Sequence, residues 1–447
     1  MNDAALEQLL TSEQANFVAT HPQSGLLAAR ANAHFVDGVP MHWMADWGTP
    51  HPLFVRRASG AELVDADQHR YADFCLGDTG AMFGHSPPAI VAAIQRQSGC
   101  GLTSMLPAED LAEVGERLAA LFGLPLWQIA LSATDANRAM LRWARAVTGR
   151  PRVLLFDGCY HGTVDETLVR RGANNETVAR SGLIGAPFGL AAGARVVPFN
   201  DLPALAAALA HGDVAALLCE PVMTNIGMVL PQAGFLQAAF ALARDHGALV
   251  ILDETHTLSS GLGGYGRVHN MDVDALVCGK AIAGGVPCAV YGFSAALHAR
   301  IEKFKTTRSA GHSGMGTTLA ANPLATSALL AALRELITAD NYTIMEARAL
   351  LLANALQALF ARRQLDWHVS RVGARTEFGF GPAPCTAEES EHRMRPLLER
   401  VIHLSMLNRG YLVTPFHNML LTSPATRVED IHGFVSTLDS VLEEIQP

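Results

Sequence analysis

The sequence predicts an α/β protein: a mostly parallel central sheet covered by helices on both faces, with a smaller α/β lobe formed from the two ends of the chain. Three observations carry this. From about residue 89, short apolar runs alternate with segments of helical periodicity, the pattern of strands joined by crossover helices. The runs 152–156, 249–253, 275–278 and 289–293 are almost continuously apolar rather than alternating, as strands buried on both faces are. Apolar residues make up 49% of the 447-residue chain and charged residues only 17%, enough to fill a large core.

In order along the chain, residues 5–32 read as a helical arm, followed by an irregular stretch rich in Trp, Pro and His from 38 to 52. Short strands at 62–64 and 70–74 suggest a hairpin, and 77–88 a Gly/Pro loop. Helices are expected at 89–97, 108–122, 135–148, 202–210 and 235–246, and strands at 128–131, 152–156, 195–198, 214–220, 249–253, 275–278 and 289–293. A long irregular loop spans 157–194. Helices return at 322–362, and a β/α tail over 366–447 ends in a helix at 427–445. The implied division is an N-terminal arm and part of a small domain (1–88), a large domain (89–330) and a C-terminal small domain (331–447).

The net charge is −9, and no Lys/Arg run exceeds a pair, which argues against a nucleic-acid partner. Seven cysteines, without a C-x-x-C pair, read as reduced thiols, most of them in the core of a cytoplasmic protein. The first 20 residues carry no Lys or Arg, unlike a signal peptide. No uncharged apolar stretch reaches the roughly 20 residues of a membrane helix.

In doubly wound sheets ligands bind beyond the carboxyl ends of the strands, and three polar clusters fall there. Asp253-Glu254-Thr255-His256 follows the strand 249–252. Cys278-Gly279-Lys280 is followed by small residues through Gly285; a lysine in such surroundings is poorly solvated and hence more nucleophilic. Ser132-Ala133-Thr134 stands at a strand–helix junction, where free backbone N–H groups can bind phosphate. A phosphate cradle, an Asp after a strand and a lysine 27 residues later are what pyridoxal phosphate (PLP) needs: the lysine to form the Schiff base, the Asp to keep the pyridine nitrogen protonated.

Over nearly its whole length the sequence resembles the class III, fold type I aminotransferases, close to the glutamate-1-semialdehyde aminomutase branch. V-I-L-D-E-T-H-T, V-C-G-K-A-I-A-G-G-V-P and Y-G-F-S, between residues 249 and 294, carry the resemblance most specifically. It implies that Lys280 is the Schiff-base lysine, that Asp253 pairs with the pyridine nitrogen and that Thr255 lies against the ring. Tyr160-His161-Gly162 is similar to the family's Y-H-G, so Tyr160 would stack on the other ring face. Ser132, Ala133 and Thr134 match the phosphate loop, with Ala133 at the family's Gly position. Glu220-Pro221 and Asn225 match a run near the phenolic oxygen. Thr318 matches a Thr that reaches the neighbouring subunit's phosphate, implying a homodimer with a shared active site.

Departures bear on substrate. The aminomutases' early Ser and Arg are absent: Gly38-Val39 is followed by Pro40-Met41-His42-Trp43-Met44, with no Arg or Lys from 31 to 55. Pro415 is followed by Phe416 where β-amino acid transaminases carry an Arg. Met41, Trp43, Met44, Trp47 and Phe416 are therefore expected to line an apolar pocket. Asp78 is expected to meet an amine or hydroxyl, and Arg375 the carboxylate of an acceptor, since Arg grips carboxylates bidentately. The expected activity is ping-pong transfer of an amino group from an amine or amino acid with an apolar group to a 2-oxo acid. An intramolecular aminomutase is the second reading, ahead of a PLP decarboxylase, a racemase or a non-catalytic homologue. The run 261–266 fits G-x-G-x-x-G but does not open a helix directly after a strand, as a dinucleotide site requires. The 18 histidines show no metal-ligand spacing, so no metal site is expected.

Overall fold

The computed structural model describes residues 3–187 and 189–445. Two compact units emerge: residues 88–339 with 384–391, and residues 1–87, 340–383 and 392–447. The division between them falls at 339/340 rather than 330/331, and a short excursion from the C-terminal segment returns to the large unit.

The large unit is organised by a seven-stranded sheet: β1 (Leu126–Ala130), β2 (Arg152–Phe156), β3 (Ala194–Val197), β4 (Val214–Cys219), β5 (Leu249–Asp253), β6 (Ala275–Cys278) and β7 (Ala289–Phe293). Their order is β1-β7-β6-β5-β4-β2-β3. β7 pairs antiparallel to both neighbours, and the remaining pairs are parallel. Every residue of β4, β5, β6 and β7 is buried. Continuous burial is why these strands show no polar alternation. In register, Asp253 lies beside Val277 and Leu252 beside Cys219. The carboxyl ends of three neighbouring strands thus deliver Glu220, Asp253 and Gly279-Lys280 to one edge of the sheet.

The helix Ala133–Thr148 lays Ala136, Ala139, Met140 and Ala144 into the core formed by β2, β4 and β5. Ser132 is its N-cap, accepting from Asp135 N, a bond worth about 1 kcal/mol. The loop expected over 157–194 contains a small hairpin, Val169–Arg171 with Thr177–Ala179.

In the small unit, the N-terminal arm is two helices, Asp3–Thr20 and Pro22–Ala31, because Pro22 lacks the N–H that a continuous helix would use. The hairpin Glu62–Asp65/Arg70–Asp73 gains a strand on each side, Val55–Ser59 and Tyr411–Leu412. The helix Ala339–Arg362 is long and apolar enough to cross a membrane by composition. Its Leu352, Leu356, Leu359 and Phe360, however, are buried in the core of this unit. Five cysteines are buried; Cys100 and Cys385 are exposed, not core residues.

Candidate active site

The large unit gathers the predicted cofactor residues around Asp253, which is 3% exposed. Its Oδ2 accepts from Asn137 Nδ2 at 2.8 Å and lies 3.0 Å from His161 Nδ1, while Oδ1 accepts from the Thr255 N–H at 3.1 Å. Burial alone would raise its pKa; the hydrogen bond and charge of His161, with Thr255 and Asn137, hold it below the usual carboxylate range. A buried, ionised carboxylate is what holding a proton on a ring nitrogen requires. Asn137, on the helix after Ser132, also donates to the His161 carbonyl and so fixes the histidine that orients the aspartate. No sequence motif marked Asn137, although it lies only five positions beyond Ser132.

Glu220 Oε1 accepts from the Tyr160 N–H at 2.9 Å and Oε2 from the Thr224 hydroxyl at 2.6 Å. Burial pushes its carboxyl pKa upward. Thr134 Oγ1 accepts from the Thr163 N–H. Gly162 sits between them at φ +76°, and a Cβ there would come within 2.1 Å of that hydroxyl, so the Y-H-G motif needs its glycine. Ala133 begins the helix with ordinary right-handed geometry, and the space opposite its Cβ is supplied by Gly279, where an added Cβ would lie 2.9 Å away. The family's glycine is therefore dispensable at 133.

Lys280 opens a short 3₁₀ turn, Lys280–Ala283, at φ +48°. A left-handed non-glycine costs on the order of 1–3 kcal/mol and persists only where its surroundings impose it. Ala281, Ile282 and Ala283 behind it are fully buried. Its Nζ lies 2.8 Å from His256 Nε2. The structure thus brings His256, the last of the four polar residues after the strand 249–252, to the lysine. The neighbouring Glu254 is cupped by the N–H groups of Tyr265 and Gly266 and by the Thr257 hydroxyl. This is the actual use of the G-x-G-x-x-G run, and burial raises Glu254 to a pKa of about 7.

Arg180 was not foreseen. It is half-buried, and its guanidinium carbon stands 5.6 Å from the centre of the Tyr160 ring, a cation–π separation. Thr318 is exposed on the segment before the helix Pro323–Ala331.

Around this group, His161 Nε2, Asn225 Nδ2, Thr255 Oγ1 and Asn137 Oδ1 are buried without a hydrogen-bond partner among the described residues. Buried polar atoms are normally satisfied, so four such atoms beside Asp253 and Glu220 fit a flat polar ligand. The donor set suits PLP: Asp253 for the ring nitrogen, Asn225 near the phenolic oxygen, the start of the helix Ala133–Thr148 for the phosphate, and Lys280 for the carbonyl carbon.

The small unit holds the other predicted residues. Leu76, Gly77, Asp78 and Thr79 all have positive φ, and the Thr79 hydroxyl accepts from Arg375 Nη2. Arg375 is 1% exposed. It braces this left-handed turn from inside the unit. His417 Nδ1 lies 2.8 Å from Glu377 Oε1, both buried. Met41, Trp43 and Phe416 are 41–47% exposed and Met44 is half-buried, so none belongs to the core.

A buried carboxylate beyond one parallel strand and a strained lysine beyond the next define a PLP enzyme of fold type I. The chain belongs to the class-III aminotransferase family, whose profile matches residues 43–442. It is 32% identical over 436 residues to a glutamate-1-semialdehyde 2,1-aminomutase of Symbiobacterium thermophilum, covering 96% of this chain and 99% of that protein. It is similar along 100% of its length, with 45% identity and a TM-score of 0.97, to the crystal structure of a glutamate-1-semialdehyde aminomutase from Pseudomonas aeruginosa PAO1, of which it covers 99%. A second structure of the Pseudomonas protein, with a lysine replaced by alanine, holds PMP and matches equally well. The cofactor is pyridoxal phosphate. The expectation of amino transfer from an apolar amine to a 2-oxo acid is overturned by these relatives, which are aminomutases at 32–45% identity.

Proposed function

We propose that this enzyme is an aminomutase acting on a carboxylate-bearing amino aldehyde of the glutamate-1-semialdehyde class, moving the amino group to the adjacent aldehyde carbon within one molecule. The observation that carries this reading is the end-to-end 45% identity to the Pseudomonas aminomutase. When bound, PLP supplies an electron sink that makes the proton on the amine-bearing carbon labile. Lys280 then serves as the covalent anchor and as the base that removes a proton from one carbon and returns it at the other. Asp253, held ionised by His161 and Asn137, keeps the ring nitrogen protonated. Tyr160 and Thr255 would hold the ring on its two faces.

The early Ser and Arg of the aminomutases are missing here, and Arg375 is buried against Thr79. We assign the substrate carboxylate to Arg180, the half-buried cation above Tyr160. The working form is a homodimer in which the exposed Thr318 reaches the phosphate site of the second copy. The test is to give the PLP-loaded enzyme glutamate-1-semialdehyde with no oxo acid present. Stoichiometric conversion to the isomeric aminoketone supports the reading; turnover that stalls unless a separate amino acceptor is supplied overturns it.

A further inference from the structure

In the small unit, three side chains from separate parts of the sequence converge on one point. His21 stands at the junction of the helices Asp3–Thr20 and Pro22–Ala31. Asp65 ends one strand of the hairpin, and His69 lies just before the next. Asp65 Oδ2 lies 3.4 Å from His21 Nε2 and 3.0 Å from His69 Nδ1, and the three ligand atoms all fall within 4.8 Å of one another. Bonds of about 2.0–2.1 Å in a tetrahedral shell place neighbouring ligand atoms ~3.3 Å apart, close to what is seen. His21 is 3% exposed and Asp65 1%, while the His69 side chain is 40% exposed.

The surrounding contacts are those of a ligand-supporting shell. His21 Nδ1 lies 2.8 Å from the Phe17 carbonyl, an acceptor only, so the ring proton sits on Nδ1 and the lone pair on Nε2. A backbone carbonyl fixing the far nitrogen is the usual setting of a metal-bound histidine. Tyr71 donates its hydroxyl to Asp65 Oδ2 at 2.8 Å, and the His69 N–H holds Asp65 Oδ1 at 2.8 Å.

Proton bookkeeping then leaves a gap. Tyr71 has one proton and gives it to Asp65, yet its oxygen also lies 2.8 Å from His21 Nε2. The bare lone pair of His21 therefore faces two oxygens with no positive charge between them. Either His21 carries a second proton or a cation sits among the three ligands.

We infer that His21, Asp65 and His69 form a site for a divalent transition ion of the Zn²⁺ type, tying the N-terminal helices to the hairpin. Two imidazoles and one carboxylate suit Zn²⁺, Ni²⁺ or Cu²⁺ rather than Ca²⁺ or Mg²⁺. The exposed edge at His69 leaves a fourth position for water and a path for the ion. The site is independent of the amino-transfer reading. Linear motifs could not show it, because His21 lies far in sequence from the hairpin.

The test is metal content and unfolding temperature of the PLP-loaded enzyme, stripped with a chelator and then given Zn²⁺ or Ni²⁺. Wild type should retain one equivalent per chain through gel filtration and unfold at a higher temperature when loaded, since binding only the native state stabilises it. His69→Ala removes an exposed side chain and should lose both effects while keeping the cofactor's visible band. His432→Ala, a second exposed histidine, should keep both. Failure of wild type to retain metal would overturn the inference and assign the second proton to His21. Retention by His69→Ala equal to wild type would overturn it as well.

Discussion

His256 Nε2 lies 2.8 Å from Lys280 Nζ, and both side chains hang from the segments that follow neighbouring parallel strands, β5 and β6. An acceptor at that distance aims the amine whenever the lysine is released from the cofactor. His256→Phe should slow covalent recombination of PLP with the stripped enzyme by ~10²-fold, the lower range for a positioned proton-exchange partner, followed as growth of the visible band. His256→Gln retains an acceptor and should recover most of the rate. Equal rates in His256→Phe and wild type would deny His256 any part in handling the lysine.

Lys280 is held at φ +48° against a fully buried Ala-Ile-Ala wall, so no neighbouring lysine can substitute for it. Lys280→Ala should bind PLP without covalent attachment, lack the visible band of the lysine-bound cofactor and lose turnover by roughly 10⁴-fold or more. Absorbance and a single-turnover assay check this; normal turnover would sink the assignment.

Gly162 is bound to its conformation twice, by φ +76° and by the Thr134 hydroxyl in the space of a Cβ. Gly162→Ala should cost ~1–2 kcal/mol for the left-handed backbone and ~1–3 kcal/mol for the overlap. Thr134 lies in the first turn of the helix proposed to hold the phosphate, so PLP affinity should fall together with stability. Adding Thr134→Ala to Gly162→Ala relieves the overlap but not the backbone, so the double variant should recover part of the loss. Cofactor titration of the two variants separates these contributions.

The sheet was legible because its strands are buried on both faces: 152–156, 249–253, 275–278 and 289–293 are identical in sequence reading and structure. The strand-end positions of Glu220, Asp253 and Lys280 were legible because the strands themselves were. The contacts of Asn137 with Asp253 and of Arg180 with Tyr160 were not, since each residue stands on a helix or loop whose path the sequence does not reveal. The contact of Arg375 with Thr79, 296 positions earlier, is another that only the fold shows. The His21–Asp65–His69 convergence is likewise a product of packing. The run at 261–266 shows how a phosphate-loop pattern can be satisfied by a carboxylate within the same chain, Glu254.

Glu377 and His417 make a buried pair in the small unit, 2.8 Å apart. Burial lowers the His417 pKa, but Glu377, then Asp78, outweigh burial and the opposing charge of Arg375, so it is raised above its ordinary 6.5. A histidine whose folded value is raised binds its proton more tightly in the native state. The stabilisation is complete below pH ~6.5 and is lost as pH rises through the folded value. Urea unfolding of wild type should therefore show stability falling on the alkaline side of pH ~6.5. Glu377→Gln leaves His417 buried without its counter-charge and should cost about 3 kcal/mol at pH ~6. The gap between variant and wild type should narrow as pH rises, because only wild type has this stabilisation to lose. A gap constant with pH would mean that His417 is neutral in the native protein and that the pair is an ordinary hydrogen bond.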